Sequence, residues 1–148
     1  MKVCIVSSCG GHLTEVRHFR SAYGSYSHFY VINSAVILPE DMERRTYVIR
    51  HCERNIKLFV INLWEAYRIL RRERPTVILS TGAGPVVAFA LIARMLFPTK
   101  IIYVETLARV STPSLTGRLM YPLAHSFYYQ WPQLRAFFPQ GTYGGPLI

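Results

Sequence analysis

The sequence predicts an α/β domain: a Rossmann-like, doubly wound parallel sheet. Three observations carry that prediction. Short β-branched apolar runs alternate with segments of helical period, the pattern of successive βαβ units. The run "TVILS" (76–80) has no polar face, as a strand buried on both sides of a parallel sheet requires. The strand-like runs divide into two βαβ-rich halves, as in a sheet wound outward from its centre.

In chain order, "KVCIVS" (2–7) reads as a buried first strand, short, β-branched and stopped by serine and glycine. Residues 13–23 read as a helix with Leu13, Val16 and Phe19 on its apolar face. "SHFYVINS" (27–34) is the second strand, 35–45 is irregular after its charge-rich turn at Pro39, and "TYVIRH" (46–51) is a shorter third strand. Residues 55–75 form a long helix stopped by Pro75, with Ile56, Val60, Leu63, Tyr67 and Leu70 recurring at spacings of three and four. After the strand at 76–80 come a helix (85–97), a fifth strand "KIIYVE" (100–105), a helix near 114–123 and a sixth strand "HSFYYQ" (125–130). The closing "GTYGGPLI" reads as an extended linker. The 148 residues fit one domain, with no internal repeat or low-complexity segment.

Composition narrows the partners. Seventeen Lys and Arg stand against 8 acids, for a net charge near +9, so an anionic partner is expected. Zinc-finger spacing, an RNA-binding aromatic signature and a basic tail are all missing, which argues against nucleic acid. Arginines set among apolar runs suit phosphates and lipid headgroups better than a DNA groove. Cys4, Cys9 and Cys52 show no CxxC spacing, which predicts free thiols in a reducing compartment. The chain enters a strand at once, so no signal peptide is expected, and no apolar run reaches the roughly 18 residues that span a bilayer. "PVVAFALIARMLFP" is interrupted by Arg94. Membrane contact is therefore expected to be peripheral, with "ARMLFPTK" (93–100) and "RRERP" (71–75) as candidate patches.

In an open parallel sheet, ligands bind beyond the carboxyl ends of the strands, which selects three loops. "SSCGGH" after the first strand sets Gly10 and Gly11 at a helix start, where free N–H groups attract anions, and then His12, whose imidazole can take a proton from a hydroxyl. The same residues could simply make the turn. "STGAGP" offers a second such start at Gly82 and Gly84; neither loop contains a GxGxxG dinucleotide fingerprint. "VETLARVSTP" ends an apolar strand on Glu105, a candidate base or sugar-hydroxyl ligand, with Arg109 four residues on as a candidate pyrophosphate clamp. A Glu105–Arg109 ion pair holding the loop is the plainer alternative. His18, His28, His51 and His125 have no metal-ligand spacing, and no metal or cofactor is required.

The segments "SSCGGHLTE", "STGAGPVVA", "YVETLARVSTPSLTGRLMYPLAHSFYYQWPQL" and "YGGPL" resemble the bacterial exopolysaccharide glycosyltransferase subunits of the PssD/CpsF type. These are similar to the membrane-anchoring subunit of the eukaryotic dolichol-pathway N-acetylglucosamine transferase. The resemblance implies the N-terminal, acceptor-side half of a GT-B glycosyltransferase. A separate polypeptide would bind the nucleotide-sugar, and the acceptor would be a saccharide on a polyprenyl diphosphate at an anionic, cytoplasmic membrane face. It maps Gly10, Gly11 and His12 onto a loop beside the donor phosphates and the attacking hydroxyl. Glu105 and Arg109 map onto a second loop, while Gln130, Trp131, Gly144 and Gly145 map to an interface, with residues 141–148 as a tail that docks on the partner. His12 is expected to be the base and Glu105 the next candidate. A non-catalytic membrane-recruiting scaffold and a stand-alone nucleotide-binding module are the other readings to test.

Overall fold

Seven parallel strands form a single sheet in the order β3-β2-β1-β4-β5-β6-β7 in the computed structural model, which describes residues 1–33, 45–52 and 54–147. The strands are β1 (Lys2–Ser7), β2 (Ser27–Ile32), β3 (Thr46–Val48), β4 (Val77–Ser80), β5 (Lys100–Val104), β6 (Ser126–Tyr129) and β7 (Thr142–Tyr143). The helices are α1 (Gly11–His18), α2 (Arg20–Tyr23), α3 (Ile56–Glu73), α4 (Pro85–Leu96) and α5 (Leu115–Met120), with a 3₁₀ turn at Pro132–Ala136. The winding reverses between β1 and β4, the switch point of a Rossmann-like sheet. The irregular stretch expected over 35–45 lies, Arg45 apart, outside the described residues.

Alternate side chains feed two apolar layers. Cys4, Val6, Phe29, Val31, Ile78, Ile101 and Tyr103 pack under α3, α4 and α5, while Val3, Ile5, Tyr30 and Leu79 meet Val16 and Tyr23 of α1 and α2. On this second side, Leu79, Ile102, Val104 and Tyr128 floor an apolar hollow of about 440 Å³.

Three predicted elements change. α3 starts where Asn55 Oδ1 caps the amides of Lys57 and Leu58, at 2.9 and 3.3 Å, and ends at Arg74, whose φ of +46° is left-handed. Its buried face is Asn62, Ala66, Ile69 and Leu70, which shares only Leu70 with the expected stripe. Ile56, Val60 and Trp64 stand 80%, 56% and 59% exposed. The helix is apolar around much of its girth, so spacing alone did not choose its inner face. Asn62 turns inward because its amide donates to Arg50 O and to Glu65, both at 2.9 Å.

The tail is not a free linker. Thr142 and Tyr143 extend the sheet beside Tyr128 and Tyr129, Gly144 N donates to Tyr129 O at 3.0 Å, and Leu147 N donates to Gln130 Oε1 at 3.0 Å. The predicted helix over 13–23 is broken at Phe19, where α1 gives way to α2.

Candidate functional site

With every strand parallel, the loops that follow β1, β4 and β5 open on the same edge of the sheet, so the three selected by sequence are neighbours. The first two touch. The Thr81 hydroxyl donates to His12 O at 3.0 Å. The imidazole of His12 lies over Gly82: a Cβ at that glycine would sit 2.6 Å from Cε1 and 2.8 Å from Nδ1. Nδ1 of His12 is buried and has no hydrogen-bond partner among the described residues. A glycine at 82 is therefore required twice, by this approach and by its φ of +128°.

Backbone geometry marks the same place. Gly10 caps α1 at φ +96°, and α1 has neither a capping side chain nor an acid in its first turn. Its first amides face outward with the positive end of the helix dipole. Ala83, at φ +130°, holds a conformation that costs a non-glycine residue on the order of 1–3 kcal/mol. Gly84 then opens α4, again without a side-chain cap and with Pro85 in the first turn.

The third loop is held from three directions. Glu105 is fully buried and accepts from Thr106 N at 3.0 Å, from Ser114 N at 3.1 Å and from Ser114 Oγ at 2.7 Å. Ser114 in turn caps α5 through Gly117 N at 2.8 Å. The carboxylate lies so near α5 that a Cβ at Gly117 would be 1.9 Å from Oε2. Burial, and next the Glu105 carboxylate, push the Tyr103 phenol well above its ordinary range. From the first loop's helix, Glu15 accepts the Thr106 hydroxyl at 2.7 Å and Leu107 N at 3.2 Å. From the end of β6, Gln130 Nε2 donates to Glu105 O at 2.9 Å and Trp131 Nε1 to Leu107 O at 2.7 Å.

These contacts revise the roles expected from sequence. Glu105, enclosed and hydrogen-bonded on both oxygens, anchors the loop. No Glu105–Arg109 ion pair occurs among the described residues, and Arg109 is exposed at the end of the anchored loop. Gln130 is buried with its amide spent inside its own chain, tying the loop to the tail, and it lines the hollow over β4–β6. Trp131 is half-buried against the same loop, while Gly144 and Gly145 border the hollow over β4–β6. Sequence reasoning passed over Glu15 and Thr81. Glu15 stands three residues beyond His12, a spacing that already placed both on neighbouring turns of one helix.

The helical side carries a second feature. Ile56, Val60 and Trp64 line up along the outside of α3 near Lys57, Arg68, Arg71 and Arg72, and Met95 and Leu96 are exposed at the end of α4. No helix among the described residues is long and apolar enough to cross a membrane.

The chain can now be set beside known proteins. Residues 41–147 match the family described as "Oligosaccharide biosynthesis protein Alg14 like". The human UDP-N-acetylglucosamine transferase subunit ALG14 is 26% identical over 180 aligned positions, covering 100% of this chain and 83% of the relative. The Yarrowia lipolytica subunit of the same name is 39% identical over 88 residues, 56% of this chain and 41% of the relative. Among solved structures, Acinetobacter baumannii MurG superposes with a TM-score of 0.74 at 13% identity, over 96% of this chain and 43% of that one. The UDP-GlcNAc 2-epimerase of Methanocaldococcus jannaschii gives 0.71 at 14% identity, over 95% and 42%. The chain thus spans less than half of these structures, and its fold is that of their N-terminal GT-B half. On the family match, the chain belongs to the Alg14-like family of oligosaccharide biosynthesis proteins.

Proposed function

We propose that this chain is the acceptor-side subunit of an inverting, nucleotide-sugar-dependent glycosyltransferase that acts on a saccharide carried by a polyprenyl diphosphate. The observation that carries the reading is the meeting of His12 with Gly82 where the winding reverses, between two uncapped helix starts and beside the anchored loop of Arg109. Family membership supports the reaction class, and the names of the relatives support UDP-N-acetylglucosamine as donor. The resemblance to exopolysaccharide subunits supports extracellular or capsular polysaccharide assembly as the use of the product.

In this reading His12 accepts the proton of the acceptor hydroxyl as the hydroxyl oxygen attacks the anomeric carbon. The bond from that carbon to the diphosphate breaks, and the nucleoside diphosphate leaves with the electron pair. The outward amides at Gly10–Gly11 and Gly82–Gly84, with Arg109, balance charge on phosphate oxygens. Glu15, Glu105 and Thr81 hold the groups that act.

A separate subunit supplies the nucleotide-sugar pocket. The hollow over β4–β6, bordered by Gly144, Gly145 and Leu147, and the tail 141–148 are the surface we assign to it. The outer face of α3 with Met95 and Leu96 would lie on the cytoplasmic membrane surface, its arginines among anionic headgroups. The test is reconstitution. The chain alone should bind nucleotide-sugar weakly and transfer nothing, and adding the donor-binding subunit should restore transfer to a lipid-linked acceptor. Tight binding of nucleotide-sugar by the isolated chain would favour a stand-alone module instead.

A further inference from the structure

Beside the glycine loops, a groove of about 850 Å³ runs between the first turns of α3, the start of α4 and α5. Its volume lies in the range of small-molecule sites, roughly 300–1,000 Å³. Phe59, Val87, Leu91, Leu115 and Leu119 line one stretch, while His51, Arg54 and Gly84 line the end next to the catalytic edge. At the mouth Leu115 and Leu119 are 59% and 47% exposed, and Ile56, also at the mouth, continues into the outward apolar stripe of α3.

The groove therefore grades from hydrocarbon, open toward the proposed membrane face, to a cationic end beside Gly84. That gradient complements an amphiphile with an apolar chain and an anionic head. Helices form its walls, so no strand edge is available for an extended peptide.

We propose that this groove receives the isoprenoid segment next to the phosphate of a polyprenyl diphosphate, with Arg54 at the phosphate end. The assignment rests on the acceptor-side reading above and adds the place where the lipid leaves the bilayer. A chain seated there would remove Leu115 and Leu119 from water, and would direct the saccharide past Gly84 toward His12.

The test uses the full chain with its leucine methyls isotopically labelled, titrated with farnesyl diphosphate below its micelle concentration and, separately, with inorganic diphosphate. The expected result is saturable shifts of the Leu91, Leu115 and Leu119 methyls with the farnesyl compound only. Leu119→Glu and Leu115→Glu, both at exposed positions, should weaken that binding by about tenfold or more with unchanged melting temperature. Tyr26→Glu, at an exposed position outside the groove, should leave it intact. Equal response to inorganic diphosphate, binding unaffected by both leucine variants, or loss of the methyl response once the partner subunit covers the groove would each overturn the proposal. The readout involves no sugar transfer, so a failure of the transferase reading shows only in reconstitution and a failure of the groove only here.

Discussion

The Glu15 carboxylate on α1 accepts the Thr106 hydroxyl at 2.7 Å, across 91 residues of chain, and so joins the loop after β1 to the loop after β5. Its other oxygen accepts Leu107 N. Glu15→Ala leaves two donors of the Arg109 loop unpaired and should cost about 1–3 kcal/mol of stability. Because it also frees that loop, reconstituted transfer should fall further than the thermal shift alone accounts for. Thermal melting beside transfer kinetics checks this, and equal, small losses in both would mean that the clasp is merely structural.

Gly82→Ala makes a sharper demand. The added methyl would meet the His12 ring at 2.6 Å in a backbone conformation foreign to alanine. A loss of about 1–3 kcal/mol in stability is expected from the conformation alone. The ring must also move, so kcat should drop by at least about tenfold with the acceptor KM changed less. A variant that melts lower but turns over normally would separate Gly82 from the chemistry.

Much of this arrangement was legible in the sequence. The six predicted strands all occur, because β-branched runs ended by glycine or polar turns leave little else to form, and the parallel order follows from the helices between them. The three loops were legible for the same reason. What eluded the sequence depends on tertiary contacts. α3 has apolar residues on several faces, and only packing against α4 shows that Ala66 and Ile69 go in while Ile56 and Trp64 stay out. Glu105 looked like a base because a carboxylate at a strand end is common to both roles. Its burial against Ser114 and Gly117 depends on how the loop folds back onto α5, which residue types alone do not show. Thr142 and Tyr143 are too few to show a strand pattern and join the sheet only because β6 offers an edge.

At the opposite end of the sheet, Lys2 Nζ and the Tyr47 hydroxyl both donate to Glu73, and Lys2 is the larger cause holding that carboxyl below its ordinary value of 4.5. The value in the folded chain is thus lower than in the unfolded one. Its contribution to stability is complete above the ordinary value and is lost as pH falls through the folded one. Glu73→Gln should therefore lower stability at pH 7 by about 1 kcal/mol or less, since the pair is partly exposed. The gap from the parent chain should close on acidification. A gap that stays constant into acid would show that charge has no part in it.

The α3 surface predicts sedimentation with anionic liposomes at low salt, weakening as salt screens the arginines. Val60→Glu with Trp64→Glu, both at exposed positions, should reduce partitioning by at least about tenfold while leaving the melting temperature near the parent value. Unchanged sedimentation of the double variant would move the membrane contact elsewhere.

The central claim is that this chain contributes a proton acceptor to an active site that another subunit completes. Transfer by the reconstituted complex, comparing His12→Ala with the parent chain at matched assembly, tests it most directly. The account predicts a fall in kcat of about 100-fold or more, the usual contribution of general base catalysis, with the complex and its lipid binding intact. Undiminished turnover by His12→Ala would contradict it and leave the chain as a scaffold that recruits the catalytic subunit to its acceptor.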